Sequence, residues 1–263
     1  MTEAALSVQL YSLREALAVD REETLAHLAR LGVRRVEAYG IVDGGAALAE
    51  SLARHGLRSP SVHAPLVGAG EDGAATLDEV FDAAARLGAQ TVFEPMVWGD
   101  HWRDEDGVRR TADRLNQAAA VAASRGLRVG YHNHSQEFHH SIDGRSAYEF
   151  FVSLLRPDVV LELDAYWAAV GRQDVPALVT RLGGRLRALH VKDGATGVDP
   201  FLPDSPQGDL GQVPAGQGQV PLTAALRAAT SLELAVLEFD EYDGDLFEGL
   251  AAGIAFLAEA GIR

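Results

Sequence analysis

The sequence contains no cysteine among its 263 residues, which excludes disulfide bonds and thiolate chemistry. Basic residues are few, because 23 lysines and arginines stand against 38 aspartates and glutamates, for a formal net charge of -15. This charge repels phosphate backbones and anionic lipids, so we expect neither nucleic acid nor a membrane as a partner. No apolar run approaches the about 20 residues that cross a bilayer, and the N-terminus does not resemble a secretory signal. These absences predict a cytoplasmic protein.

Short apolar or β-branched runs alternate with longer stretches of helical periodicity, a pattern typical of parallel strands joined by crossover helices. The eight predicted strands are Leu6–Leu10, Arg35–Ala38, Ser61–His63, Thr91–Glu94, Arg128–His132, Val159–Asp164, Ala188–Lys192 and Leu234–Asp240. Eight strands in a chain of this length, with 47% hydrophobic residues, fit one (β/α)8 TIM barrel. The sequence therefore predicts an α/β fold with a single domain over residues 1–263.

Amphipathic segments separate these strands and predict the outer helices. They are Arg21–Leu31, Thr76–Leu87, Val108–Ser124, Ser146–Leu155, Val175–Leu182 and Leu222–Ala229. Asp20, three residues before Glu23, resembles a capping box, and the helix-ending glycines are Gly32, Gly88, Gly126 and Gly183. The stretch Gly194–Gly218 is rich in Gly, Pro, Asp and Gln, and we predict an irregular loop on the substrate side of the barrel.

Polar side chains stand at the C-terminal ends of most predicted strands, where burial is costly unless they are paired or bind metal. Asp164, His190 and Glu238 come from three successive strands, and two carboxylates with one imidazole suit a divalent ion such as Mn, Mg, Co or Zn. The alternative interpretation of each residue is a buried group satisfied by hydrogen bonds or ion pairs. For the three together, we predict a metal site.

The run of residues 131–134, YHNH, ends the fifth predicted strand. Strand alternation places His132 and His134 on one face, where each is a candidate ligand, proton shuttle, substrate-binding group or orienting partner. Lys192 shares a face with His190 and either polarises a substrate carbonyl or forms a salt bridge to Glu162 or Asp164. Three tryptophans follow strand ends and either bind sugar faces or pack the rim: Trp98, Trp102 and Trp167.

Several motifs occur along the whole chain in an order similar to that of the xylose-isomerase-like sugar phosphate isomerases/epimerases. They are QLYSLRE, VEAYG, SVHAP, YHNHSQEF, LELDAYWAAVGRQD, LHVKDG, GQGQVPL and VLEFDEY. The resemblance implies a TIM barrel that binds a divalent metal at its C-terminal mouth and acts on a carbohydrate. It also implies that Asp164, His190 and Glu238 are ligands.

The chain departs from the family pattern on the fifth strand, where the epimerases commonly carry a glutamate. His132 occupies that position, so the fourth ligand is His132, Glu137 or His134. The acidic residue of the GEG-type motif is Gln217 here, and no Gly-rich phosphate cradle follows the late strands. We therefore expect an unphosphorylated sugar or polyol derivative.

The mechanism implied by the resemblance is proton removal next to a carbonyl, through an ene-diolate that the ion stabilises. Glu238 is the first candidate base, and His132, His134 or Glu137 would act on the opposite face. The predicted substrate-binding residues are Tyr11, Glu37, His63, Glu137, Trp167 and Lys192.

Four other functions remain open at this stage. Proton removal without return gives elimination, so a keto-inositol dehydratase or a keto-sugar lyase/hydratase is the nearest alternative. An endonuclease IV-like nuclease shares the architecture, but the acidic charge disfavours it. A non-catalytic sugar-binding barrel is the last.

The outer helices are compatible with a homo-oligomer, although no feature of the sequence identifies an interface.

Overall fold

The computed structural model describes residues 4–205 and 210–263 and shows a closed barrel of eight parallel strands. The strands are β1 (Ala5–Gln9), β2 (Arg35–Tyr39), β3 (Arg58–His63), β4 (Thr91–Glu94), β5 (Arg128–His132), β6 (Val160–Asp164), β7 (Leu186–Val191) and β8 (Leu234–Leu237). Each strand pairs with its neighbours in chain order, and β8 closes the barrel by pairing with β1. The predicted single TIM barrel is confirmed.

Ten α-helices surround the barrel in the described ranges. They are α1 (Arg14–Val19), α2 (Arg21–Arg30), α3 (Ile41–Arg54), α4 (Leu77–Arg86), α5 (Glu105–Ala123), α6 (Ala147–Leu154), α7 (Ala165–Val170), α8 (Val175–Leu182), α9 (Leu222–Ala228) and α10 (Leu246–Glu259). The predicted start at Asp20 is confirmed, because its carboxylate accepts the Glu23 N–H. Four helices go beyond the amphipathic segments named above: α1, α3, α7 and α10.

The eighth strand is shorter than its predicted bounds of Leu234–Asp240. Pairing with β7 and β1 stops at Leu237, so Glu238 lies just beyond the strand end. At this end the side chains no longer fill the barrel core and instead point into its mouth. Consecutive strands therefore deliver their terminal side chains to one shared space, as TIM-barrel geometry requires.

The long loop after β7 is more ordered than the sequence predicts. Asp193–Gly194 pairs antiparallel with Gln212–Val213 to form a small hairpin. The Asp193 carboxylate accepts N–H bonds from Gly194, Gly216, Gly218 and Val220 at 2.9–3.0 Å. An added Cβ at Gly218 would lie 2.2 Å from Asp193 Oδ1, so glycine permits this close approach. Residues 206–209 of the predicted loop lie outside the described residues.

Among the described residues, no helix has both the length and the apolar character needed to cross a membrane.

Candidate active site

Two buried glutamates form the floor of the barrel mouth. Glu37, in the middle of β2, lies 2.8 Å from His190 Nε2 and 3.1 Å from His63 Nε2, and it accepts a hydrogen bond from Gln9. Glu162, on β6, lies 2.6 Å from His63 Nε2 and 3.2 Å from both His132 Nδ1 and His190 Nε2. Both glutamates are fully buried. One nitrogen of each of the three imidazoles is therefore held by a carboxylate.

A second group of atoms lies directly above this floor. His190 Nδ1 is 2.6 Å from Glu238 Oε2 and 4.0 Å from Asp164 Oδ2, and His132 Nε2 is 3.8 Å from the same Asp164 oxygen. Asp164 Oδ1 caps α7 by accepting the Trp167 N–H, whereas Oδ2 is buried without a hydrogen-bond partner among the described residues. Asp164 Oδ2 therefore faces the other three groups, and it lies 3.0 Å from the Lys192 ammonium.

Lys192 supplies a cation at the edge of this upper group. Its Nζ lies 2.7 Å from Glu238, 2.9 Å from Asp240 and 3.0 Å from Asp164. Of the two interpretations drawn from the sequence, the salt bridge to Asp164 is present in the structure. The ammonium also lies 5.9 Å from the centre of the Trp167 ring, so it adjoins the open cleft as well as the carboxylates.

Burial and mutual charge set the protonation of the site. Although burial opposes it, the carboxylates of Glu37 and Glu162 raise the pKa of His63 to about 10. Burial also opposes protonation of His190, but the carboxylates of Glu162 and Glu238 outweigh burial and raise the pKa of His190 well above its usual value. Burial and the nearby cations hold the pKa of His132 well below its usual value. The floor glutamates therefore face cationic His63 and His190, whereas His132 stays neutral.

The upper carboxylates differ from each other. Burial raises the pKa of Asp164 to about 6, against the opposing charges of Lys192 and His190. Although burial would raise it, Lys192 and His190 hold the pKa of Glu238 far below its usual range. Formally, five carboxylates face three cations in the two layers, which leaves two negative charges: Glu37, Glu162, Asp164, Glu238 and Asp240 against His63, His190 and Lys192. The cluster therefore carries an excess of negative charge.

Four atoms of the upper group satisfy the distance requirement of a metal site. Donor atoms of His132, Asp164, His190 and Glu238 all lie within 4.8 Å of one another. A second grouping, in the floor, combines His63, Glu162 and the other nitrogens of His132 and His190. The upper grouping fits an ion better, because it offers two carboxylates where the floor grouping offers one, and because both shared imidazoles are already anchored from below.

A cleft of about 910 Å³ opens above this cluster. Seven of the residues predicted to form the site line it: Tyr11, His63, His132, His134, Trp167, Lys192 and Glu238. Asp164 and His190 are fully buried just beneath. The loop after β7 contributes Pro200, Phe201 and Leu210, and so the loop predicted on the substrate side does border the cleft.

Glu37 and Glu137, both predicted to bind substrate, are not among the residues that line the cleft. Glu37 supports His63 and His190 from below. Glu137 is fully buried, where it accepts hydrogen bonds from the Tyr131 hydroxyl and the His134 N–H. Its oxygens belong to neither candidate metal grouping. The structure thus gives both residues supporting contacts instead of an open position.

The tryptophans divide between the two interpretations given above. Trp102 is buried, packs against Tyr131 and Phe151, and donates its indole N–H to the Val97 carbonyl. Trp98 and Trp167 both line the cleft. Trp102 therefore packs the rim, whereas Trp98, which is exposed, and Trp167, which is almost completely buried, both border the cleft.

The central role of Glu162 was missed by sequence reasoning, which considered it only as a partner for Lys192. Its signal was available, because Glu162 stands two residues before Asp164 and strand alternation puts both on the inward face. Asn133 was also overlooked as a positioning group. Its side-chain oxygen accepts the Asp164 N–H at 2.9 Å and so fixes the end of β6.

Comparison with known proteins supports the same class of barrel. A family model described as the xylose isomerase-like TIM barrel matches residues 25–260. No curated protein matches the chain significantly in sequence. One similar solved structure is a sugar phosphate isomerase/epimerase from Parabacteroides distasonis, with a TM-score of 0.76 and 22% identity over 99% of this chain and 95% of that one. Another is a D-allulose 3-epimerase from Methylomonas sp., with a TM-score of 0.69 and 15% identity over 98% of each chain.

A third similar structure is the probable 3-DHS dehydratase AsbF from Bacillus anthracis, with a TM-score of 0.74 and 13% identity over 97% of this chain and 98% of that one. At these identities, the three structures establish the shared fold. These three proteins are named as an isomerase/epimerase, an epimerase and a probable dehydratase.

Proposed function

Because this chain belongs to the xylose isomerase-like TIM barrel family, we propose that it is a divalent-metal-dependent isomerase or epimerase of a small keto-sugar. The reaction is a proton transfer at the carbon next to the carbonyl. The observation that carries the proposal is that two anchored imidazoles and two carboxylates converge in the upper group, directly below the cleft.

The proposed ligands are His132, Asp164, His190 and Glu238. A histidine ligand needs one nitrogen free for the ion and is oriented by a hydrogen bond to the other. Glu37 and Glu162 provide that orientation for His190, and Glu162 provides it for His132. His190 Nδ1 bonds Glu238 at 2.6 Å in this structure, so binding of an ion at that nitrogen would displace its proton and replace this hydrogen bond. When bound, the ion would act as a Lewis acid that stabilises negative charge developing on the carbonyl oxygen. The mixed O/N set is compatible with Mn, Mg, Co or Zn.

Proton transfer requires accepting groups that face the substrate. Glu238 lines the cleft and is ionised, because Lys192 and His190 hold its pKa low despite burial. His134 also lines the cleft and has a buried Nδ1 without a described hydrogen-bond partner. Burial and the charge of Lys192 hold the pKa of His134 well below its usual value, so its imidazole is neutral. We propose Glu238 as the first base and His134 as the group on the opposite side.

Lys192 completes the proposed chemistry. Its ammonium lies at the cleft beside Glu238, where it can donate a hydrogen bond to a substrate oxygen. The three carboxylates around it keep the lysine charged, since they raise its pKa well above the usual value although burial opposes them. Lys192 would therefore orient the substrate and stabilise oxyanion charge, but would not act as a base.

Elimination is the second candidate, and one observation favours it. Glu137, one of the groups predicted to act opposite Glu238, is turned away from the cleft. With fewer groups on the opposite face to return a proton, the site suits removal of a proton by Glu238 followed by loss of a hydroxyl group. A keto-inositol dehydratase or keto-sugar lyase would use the same metal ligands and the same first base.

Proton NMR in deuterated water tests the proposal. Purified protein supplied with Mn, Mg, Co or Zn is incubated with D-fructose, D-tagatose and a keto-inositol, and Mn is removed before spectra are recorded. We expect deuterium to enter the carbon next to the carbonyl, with a new sugar after isomerisation and an unsaturated or dicarbonyl product after elimination. Glu238→Gln should abolish the exchange, whereas Glu233→Gln, at the opposite end of the barrel, should retain it. Full exchange by Glu238→Gln would refute the assigned base.

A further inference from the structure

The cleft has two aromatic walls on different sides of the barrel mouth. One wall adjoins the proposed ion ligands, where Phe201 lies 5.2 Å from the Trp167 ring and 5.8 Å from the Trp98 ring. The other is formed by Tyr11 and Tyr39, whose rings meet edge to face at 5.3 Å and 80°. All five residues line the same cleft. A ligand in the cleft therefore meets aromatic surface at both ends.

The order of the strands separates these walls. Tyr11 follows β1 and Tyr39 ends β2, whereas Trp167 follows β6. In a closed eight-stranded barrel, β1 and β2 lie across the mouth from β5 and β6. The proposed ligands come from β5 to β8, so the tryptophan wall lies beside the ion position. The tyrosine wall lies across the mouth from the ligands of β5 to β7 and borders Glu238, because β8 pairs with β1.

The cleft is larger than a single sugar ring requires. Pockets of about 300–1,000 Å³ enclose most of a drug-sized ligand, and this cleft of about 910 Å³ is near the upper limit. A six-carbon sugar is much smaller than such a ligand. One keto-sugar held at the ion and the tryptophan wall would leave the tyrosine wall without a contact.

The exposure of the aromatic rings supports a role in binding. Trp98 is 66% exposed and Tyr11 is 41% exposed, and large exposed rings at a cleft are typical of ligand contacts. Tyr11 is also held in place, because the Arg14 guanidinium stacks on its ring at 4.5 Å and donates a hydrogen bond to its carbonyl. A ring fixed in this way offers a preformed flat surface.

The charges around the tyrosine wall favour a neutral group. Asp240, Glu241 and Asp243 line the same cleft. Their carboxylates outnumber the Arg14 guanidinium, which also lines the cleft and stacks on Tyr11, and so they oppose an anionic substituent. The Lys192 ammonium is already shared by three carboxylates. The distal wall therefore suits the C–H faces of an uncharged sugar or aglycone ring better than a phosphate.

We infer that the cleft takes a two-ring keto-sugar, with the keto ring at the ion and an uncharged second ring on Tyr11 and Tyr39. This inference rests on the proposed function, because the position of the keto ring is that of the proposed ion site. It adds the substrate class: a keto-glycoside or keto-disaccharide in preference to a free monosaccharide.

The test compares D-fructose with two ketose disaccharides, lactulose and isomaltulose. Calorimetric dissociation constants are measured on full-length protein loaded with Mg, together with ion binding on the same preparations. We expect at least one disaccharide to bind about tenfold more tightly than fructose, which corresponds to about 1.4 kcal/mol, because its second ring buries a C–H face on the tyrosine wall. Tyr11→Ala should weaken binding of the disaccharide more than binding of fructose, whereas Tyr11→Phe should leave the ratio of the two affinities as it is in the unaltered protein.

Three results would overturn the inference: equal affinity for fructose and both disaccharides, equal weakening of both ligand types by Tyr11→Ala, or absence of sugar binding by protein that binds the ion. Failure of the proposed function gives a different result, because the protein would then bind no divalent ion. The gain from the second ring would still be measurable in that case, since Tyr11 and Tyr39 are not ion ligands.

Discussion

The two ends of this barrel both bring charged side chains together, but they differ in burial and in balance. At the N-terminal end, Arg128 forms a two-point ion pair with Glu233 at 2.6 and 2.9 Å, and Arg187 lies 3.6 Å from the same carboxylate. All three side chains are roughly one-third exposed. At the C-terminal mouth, the carboxylates and imidazoles are almost completely buried.

The difference shows what each set of charges contributes. Partly exposed pairs such as Arg128–Glu233 are screened by water, and such pairs typically contribute only about 0–1 kcal/mol. A buried cluster with excess negative charge costs folding free energy unless another cation compensates it. The N-terminal cluster therefore stabilises the fold modestly, whereas the excess negative charge at the mouth favours binding of a cation.

The largest effect that would test this contrast is loss of the ion on removal of one charge at the mouth. Asp164→Asn should abolish ion binding and turnover, because the variant loses the carboxylate whose Oδ2 faces the other three proposed ligands. The asparagine oxygen can still cap α7 by accepting the Trp167 N–H, so the fold should remain. Manganese binding measured by electron paramagnetic resonance reports the loss.

Glu233→Gln is the matched control, since it removes one carboxylate charge from the opposite end of the barrel. It should bind manganese as the unaltered chain does. Manganese bound equally well by Asp164→Asn and the control would remove Asp164 from the ligand set.

Much of this fold could be predicted from the sequence because its elements have local signals. The eight strands were identified by short β-branched runs, and Thr91–Glu94 and Arg128–His132 were predicted with their observed bounds. Helix α7 was not predicted, because five of its six residues are buried and its sequence therefore shows no amphipathic period. Helix α3 contains Gly44 and Gly45, which lower its intrinsic helix propensity.

The site was predictable in composition but not in arrangement. Asp164, His190 and Glu238 could be grouped because successive parallel strands end at one mouth. Which carboxylates support and which face the cleft depends on contacts between residues far apart in the chain. Glu37 reaches His190 across 153 positions, a contact without any local sequence signal. Glu137 could be placed only when the turn after β5 showed its bonds to Tyr131 and His134.

A smaller loss of affinity would test the role of the floor. Glu162→Gln should weaken ion binding by about 10–100-fold, as expected when a residue that orients histidine ligands is changed. The substitution removes the charge that holds His132 Nδ1 and His190 Nε2. Cobalt titration followed by absorption spectroscopy measures both the affinity and the ligand field.

The spectrum separates positioning from ligation. If Glu162 only orients the imidazoles, the saturated cobalt spectrum of Glu162→Gln should match that of the unaltered protein. A changed spectrum at saturation would place Glu162 in the coordination sphere and favour the floor grouping of His63, His132, Glu162 and His190.

The loop anchor at Asp193 offers a structural effect at the mouth. Asp193→Asn should lower the free energy of unfolding by about 2 kcal/mol, because a buried carboxylate that accepts four backbone N–H groups is replaced by an amide with one acceptor oxygen. For a chain of this size, the melting temperature should fall by about 4–8 °C. Retained manganese binding would show that Asp193 stabilises the loop and is not needed for ion binding. An unchanged melting temperature would contradict the stabilising role of Asp193.

The smallest expected effect lies at the N-terminal end. Glu233→Gln should lower the free energy of unfolding by less than about 1 kcal/mol, since its ion pairs are partly exposed and screened. The hydrogen bonds from Arg128 hold the pKa of Glu233 below its usual value although burial opposes them. A carboxylate with a lowered folded pKa stabilises above its unfolded pKa, and the contribution disappears as pH falls through the folded value.

Denaturant unfolding of the unaltered chain and Glu233→Gln should therefore differ at pH 7 and converge as pH is lowered below the unfolded value of about 4.5. Added salt should also reduce the difference, because screening acts strongly on exposed pairs. A difference of several kcal/mol that persists at low pH and high salt would contradict the contrast between the two ends. The N-terminal charges would then stabilise the barrel as strongly as a buried network does.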